Sequence, residues 1–120
     1  MSEILNFFPL TIYKSKIKIN EKEKKSLVEE ILMMEKKNSA PENKAQNKAW
    51  TGDVHGHEYL FNNEKFKNLS DQIEINIKKY LEIFSIDIKK IDIYFQRSWA
   101  TISKNSENIA PHQHEQSHIS

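Results

Sequence analysis

Between residues 63 and 103 the apolar side chains change their period once, and that change confines the chain to a mixed fold. Phe66, Leu69, Ile73, Ile77, Tyr80, Leu81 and Phe84 recur mainly at steps of three and four, the spacing that gathers side chains on one face of a helix. Lys67, Asp71, Glu74, Lys78 and Glu82 fall opposite. The spacing predicts a helix over residues 63–84. From residue 86 the period drops to two: Ile91, Ile93 and Phe95 alternate with Asp92, Tyr94 and Gln96, as on a strand with one buried face. A strand is predicted over residues 86–103, bent near Arg97. A helix and a strand that each carry one apolar face define an α+β arrangement.

Upstream, residues 7–19 are rich in β-branched and aromatic side chains and predict an edge strand, with Pro9 near its start, where proline is tolerated. Asn20, followed three residues later by Glu23, has the form of a capping box. Leu27, Val28, Ile31, Leu32 and Met34 then continue as a helical stripe to about Asn38, with Lys24, Lys25, Glu29, Glu30 and Lys36 on the wet face. Residues 39–48 are polar and read as a loop. Residues 50–59 are irregular, with Trp50 and Tyr59 as large anchors.

Composition removes several function classes. The chain has 120 residues and two glycines, Gly52 and Gly56. Neither the dinucleotide fingerprint nor the P-loop can be written with these two, and they are few for the turns of a complete β-rich domain. The absence of cysteine excludes disulfides, thiolate zinc sites, iron–sulfur clusters and cysteine nucleophiles. Net charge is +1 and Arg97 is the sole arginine, which argues against nucleic acid as a partner. No apolar run has the length of a membrane span, and the first ten residues lack the basic and apolar regions of a signal peptide. The expectation is a single cytoplasmic domain with neither membrane nor nucleic-acid partners.

The histidines carry the chemistry. His112, His114 and His118 lie within seven positions after Pro111. Two imidazoles one residue apart lie on the same side of an extended backbone, and imidazole suits iron, zinc and copper. The plainer reading is a solvated terminal tail. His55 and His57 form a second such pair, read as a surface loop whose histidines are solvated or hydrogen-bonded, because Gly56 loosens their geometry, with completion of the metal site as the other reading. Trp50, Trp99, Tyr94 and Phe95 read as core rather than pocket lining. Arg97 reads as an exposed strand arginine, with a bidentate grip on an anionic substrate as the alternative.

A family pattern runs through these phrases. Phe8-Pro9-Leu10-Thr11-Ile12-Tyr13, Trp50-Thr51-Gly52-Asp53-Val54-His55-Gly56, Ser98-Trp99-Ala100-Thr101-Ile102 and Pro111-His112-Gln113-His114, in this order and with helices between, resemble the 2-oxoglutarate/iron(II)-dependent oxygenases found in marine bacteria and their phages. The resemblance covers nearly the whole chain. It implies a double-stranded β-helix (jelly-roll) fold, Fe(II) and 2-oxoglutarate as cofactors, and hydroxylation of a C–H bond. His112 is the implied first metal ligand. His114 stands where related enzymes often carry Asp or Glu, which leaves its ligation and that of Glu115 open; His118 is a weaker candidate. Co-substrate binding is left unassigned, with Arg97 as no more than a weak candidate. The distal histidine, the basic residue that grips 2-oxoglutarate and the remaining strands normally come later in such chains and match nothing here. The implied chain is therefore the front part of such an enzyme and inactive by itself. Residues 1–90 would supply the first strand and helical region, and residues 91–120 the first strands and start of the metal motif. The competing reading is a small non-enzymatic protein-binding module with an incidental histidine-rich tail. Its exposed strand edge at residues 91–103 would recruit another chain or copy. A third reading is a histidine-only metal-binding oligomer.

Overall fold

The computed structural model describes residues 11–38 and 47–113. They form two helices, α1 (Glu21–Asn38) and α2 (Lys67–Ile83), and a two-stranded sheet of β1 (Trp50–Thr51) and β2 (Thr101–Ile102), joined by short 3-10 turns. The expected α+β character is present.

Helix α1 starts where its cap dictates. The Glu23 amide donates to the Asn20 side-chain oxygen at 2.8 Å, meeting one of the unpaired donors at the helix start. The reciprocal half of the capping box is not made. Instead the Glu23 carboxylate accepts from Nδ2 of Asn68 at 2.7 Å, so the acidic side chain ties α1 to α2. Glu21 and Glu23 in the first turn and Lys36 and Lys37 in the last complement the helix dipole. At the far end Nδ2 of Asn38 donates to the Met34 carbonyl at 3.2 Å.

Helix α2 opens with a 3-10 turn over Glu64–Phe66, in which the Asn63 side chain accepts from the Lys65 amide at 3.0 Å. The helix therefore occupies nearly the span its periodicity predicts. It closes at Ser85, whose φ of 58° is left-handed, with the Ser85 amide bonded to the Glu82 carbonyl at 2.9 Å.

The core is small. Leu27 and Met34 of α1, Trp50 of β1 and Phe66 at the head of α2 are buried, with Ile19, Ile31, Leu60, Leu69 and Ile102 packed partly against them. The sheet brings Trp50 opposite Ile102 and Thr51 opposite Thr101, antiparallel. Its pairing continues through a bond from the Gly52 amide to the Ala100 carbonyl at 2.9 Å. Isolated parallel bridges join Tyr59 to Ser98 and Lys48 to Asn108.

Two expected strands are corrected. Residues 11–19, the described part of the first, form no strand. They lie along α2, held by Tyr13 Oη donating to Asn76 (3.0 Å), by the Lys18 amide donating to Gln72 Oε1 (2.7 Å) and by Gln72 Nε2 donating to the Lys18 carbonyl (2.9 Å). The expected strand over residues 86–103 shrinks to Thr101–Ile102; its start is a 3-10 turn at Ile88–Lys90. The alternation itself is real, since Ile93 and Phe95 are half-buried while Asp92, Tyr94 and Gln96 are exposed. Phe95 stacks on Phe61 with ring centroids 5.4 Å apart. Period two reports which face is covered, whereas a strand also needs a neighbouring backbone to bond. Among the described residues none pairs with the main chain of residues 91–97. No helix among the described residues is long and apolar enough to cross a membrane.

Candidate functional site

The sheet brings two of the sequence phrases together. The Trp50 phrase supplies β1 and the 3-10 turn Gly52–His55, the Ser98–Ile102 phrase supplies β2, and the bridge from Lys48 to Asn108 leads the chain toward His112.

Gly52 permits this closeness. It is buried, and a β-carbon there would sit 3.2 Å from Cβ of His57, 3.3 Å from the His57 carbonyl oxygen and 3.4 Å from that of Ala100. Gly56 serves a different need: its φ of 79° is the left-handed conformation that turns the chain between the two histidines.

The His55–His57 pair is half-buried beside the core, and His57 is hydrogen-bonded, as the surface-loop reading allowed. The His55 ring stacks on Trp50 at 5.7 Å with 3° between planes, and His57 packs against the same indole at 6.2 Å and 45°. Nε2 of His57 lies 2.6 Å from Nδ2 of Asn38. Because that amide nitrogen already donates to the Met34 carbonyl, it is a donor toward His57 as well. Nε2 of His57 is thus the acceptor, and its lone pair is engaged at the end of α1. Trp50 is core, as expected. Its Nε1 and Oε2 of Glu58 are buried with no hydrogen-bond partner among the described residues. Of the other aromatic candidates, Phe95 and Trp99 are half-buried and Tyr94 is 81% exposed.

Arg97 is committed to its neighbours. Its guanidinium lies 3.9 Å from Asp53 and 5.1 Å from the centre of the Trp99 ring, over its face. The second Asp53 oxygen accepts from the Thr51 hydroxyl at 2.5 Å. The arginine thereby braces the Gly52–His55 turn against the approach to β2.

His112 is exposed on the segment after the Asn108 bridge. Its Nδ1 lies 3.1 Å from the Ala110 carbonyl oxygen. A carbonyl only accepts, so Nδ1 carries the proton and the lone pair of the neutral ring is on Nε2. This is the tautomer used when Nε2 ligates a metal and the other nitrogen donates to backbone. His114, Glu115 and His118 lie outside the described residues. Among the described residues no group of three or more His, Asp or Glu side chains is placed to hold a metal ion. The donor chemistry of His112 fits iron(II); the ligand set around it rests on the sequence. What sequence reading missed was the pairing of Asn38 with His57, because the two are 19 positions apart and nothing local links them.

Comparison with known protein families, with curated proteins and with solved structures finds no match.

Proposed function

We propose that the chain is the front part of a non-haem iron(II)/2-oxoglutarate-dependent oxygenase of jelly-roll type, with His112 as a metal ligand and His114 as the second candidate. The observation that supports this reading is the hydrogen bond from Nδ1 of His112 to the Ala110 carbonyl, which presents Nε2 in the ligating tautomer. The sheet also sets two of the phrases that carry the family resemblance side by side, with Trp50 opposite Ile102 and the Lys48–Asn108 bridge just ahead of His112. Iron and 2-oxoglutarate would together supply the oxidising chemistry for a C–H bond. The chain's own residues would hold the metal at His112, while Arg97 and Asp53 brace the Gly52–His55 turn. Arg97, paired with Asp53, serves this reading better as a brace than as the co-substrate anchor.

The test is anaerobic titration calorimetry with Fe(II), followed by 2-oxoglutarate. Metal binding should weaken by at least about tenfold in His112→Ala, since even groups that only support a ligand cost that much. Equal metal binding by the native and His112→Ala proteins overturns the reading. The second reading, a partner-binding module, draws support from the main chain of residues 91–97, which pairs with no main chain among the described residues. It is separated by the same substitution, because partner binding there would be independent of metal and of His112.

A further inference from the structure

The segment at residues 11–18 presents two chemically different sides. Ile12, Tyr13, Ser15 and Ile17, with Ile73, Ile77 and Tyr80 of α2 among the other lining residues, border an open cleft of about 390 Å³. Lys14, Lys16 and Lys18 take the intervening positions, do not line the cleft and are exposed. On an extended chain such alternate side chains stand about 6.5–7 Å apart along one side. Among the described residues these three lysines enter no ion pair. The segment is anchored at its ends, by Tyr80 Oη donating to the Thr11 carbonyl (3.3 Å) and by the two Gln72 bonds to the Lys18 main chain. Among the described residues nothing bonds the main-chain groups of residues 12–17 between those anchors.

We propose that residues 12–17 are a docking edge for an acidic, extended segment of a partner protein. Its main chain would pair with this edge, its apolar side chains would enter the cleft beside α2, and its carboxylates would meet Lys14, Lys16 and Lys18. This mode takes affinity from main-chain bonds and selectivity from alternate side chains. Charge decides the occupant. Antiparallel pairing of the segment with a second copy about Lys16 sets Lys14 against Lys18 and Lys16 against itself, and like charges directly opposite are destabilising. A lysine edge is a common guard against self-association, and it leaves an acidic strand as the complementary partner. A membrane surface fits less well, because the apolar groups line a recess and three lysines fall short of the four to eight that typify lipid-binding clusters. The proposal stands independently of the metal reading.

The probe is a fluorescent peptide of alternating Glu and Ile, titrated into the full chain by anisotropy. A Lys/Ile peptide and anionic phosphatidylserine vesicles serve as the other arms. Binding of the Glu/Ile peptide should fall with added salt and drop on the order of tenfold or more in the Lys14→Glu, Lys16→Glu, Lys18→Glu triple variant, the scale of three exposed charge pairs. The triple variant, checked for native circular dichroism, should now prefer the Lys/Ile peptide. Ile12→Asp, at a position 78% exposed on the rim of the cleft, should weaken the Glu/Ile peptide without unfolding the protein. The proposal is overturned by no binding at millimolar peptide, by equal binding of both peptides to the native chain, or by vesicles binding in place of the peptide.

Discussion

Nδ2 of Asn38 donates at once to the Met34 carbonyl, 3.2 Å away, and to Nε2 of His57, 2.6 Å away. One amide thus closes α1 and fixes the turn that carries both histidines. Since Nε2 accepts, the proton of neutral His57 is on Nδ1. Nitrogen-15 spectra of the imidazoles should show that tautomer. Asn38→Ala removes both bonds; it should abolish the preference and lower stability by about 1–3 kcal/mol, at about 0.5–1.5 kcal/mol for each bond, read by urea unfolding.

The small core makes its largest members decisive. Trp50 and Phe66 are 4% and 3% exposed, and truncating such a residue to alanine costs about 3–5 kcal/mol. Phe66→Ala should leave the chain largely unfolded at 25 °C in a thermal scan, whereas Tyr94→Ala, at a site 81% exposed, should change the midpoint little.

The two glycines should fail for different reasons. Gly52→Ala adds a β-carbon against the His57 and Ala100 carbonyls, so backbone must shift and the β1–β2 pairing should loosen. Gly56→Ala meets no atom within 4 Å but must hold a left-handed φ, at about 1–2 kcal/mol. Hydrogen exchange separates them: Gly52→Ala should speed exchange at the Gly52 amide and along the sheet, while Gly56→Ala should lower stability with the sheet pattern kept.

Glu30 provides the acid limb. The hydrogen bond from Lys65 Nζ, 2.5 Å away, holds its carboxyl below the usual glutamate range, with partial burial opposing. A depressed carboxyl contributes stability that is fully present above its unfolded value, about 4.3, and is lost as pH falls through the lower folded value. Glu30→Gln should therefore lower stability at pH 7 by no more than about 1 kcal/mol and by less at pH 2. Chemical denaturation at the two pH values checks this.

Asn20→Ala removes the acceptor of the Glu23 amide and should cost about 1 kcal/mol. Asn20→Asp should retain the cap and most of the stability.

The sequence by itself determined the helices. The steps of three and four from Phe66 to Phe84, and the Asn20 cap three residues before Glu23, are local signals, because a helix bonds residues four apart in the chain. It also marked Trp50 as core and His112 as the candidate ligand. The strands were decided elsewhere. Ile91, Ile93 and Phe95 alternate as a strand would, yet a strand needs a partner backbone that its own residues do not name, and here the pairing fell to Thr101–Ile102 against Trp50–Thr51. Residues 11–19 likewise gave their bonds to Gln72 and Asn76 on α2 rather than to a sheet. The His55–His57 pair looked like a loose loop. Tertiary structure turned it into a clamp, because Asn38 and Trp50 reach it only once α1 and β1 have packed. Main-chain bonding within a helix is written in neighbouring residues; main-chain and side-chain bonding between segments is set by which surfaces meet when the core closes.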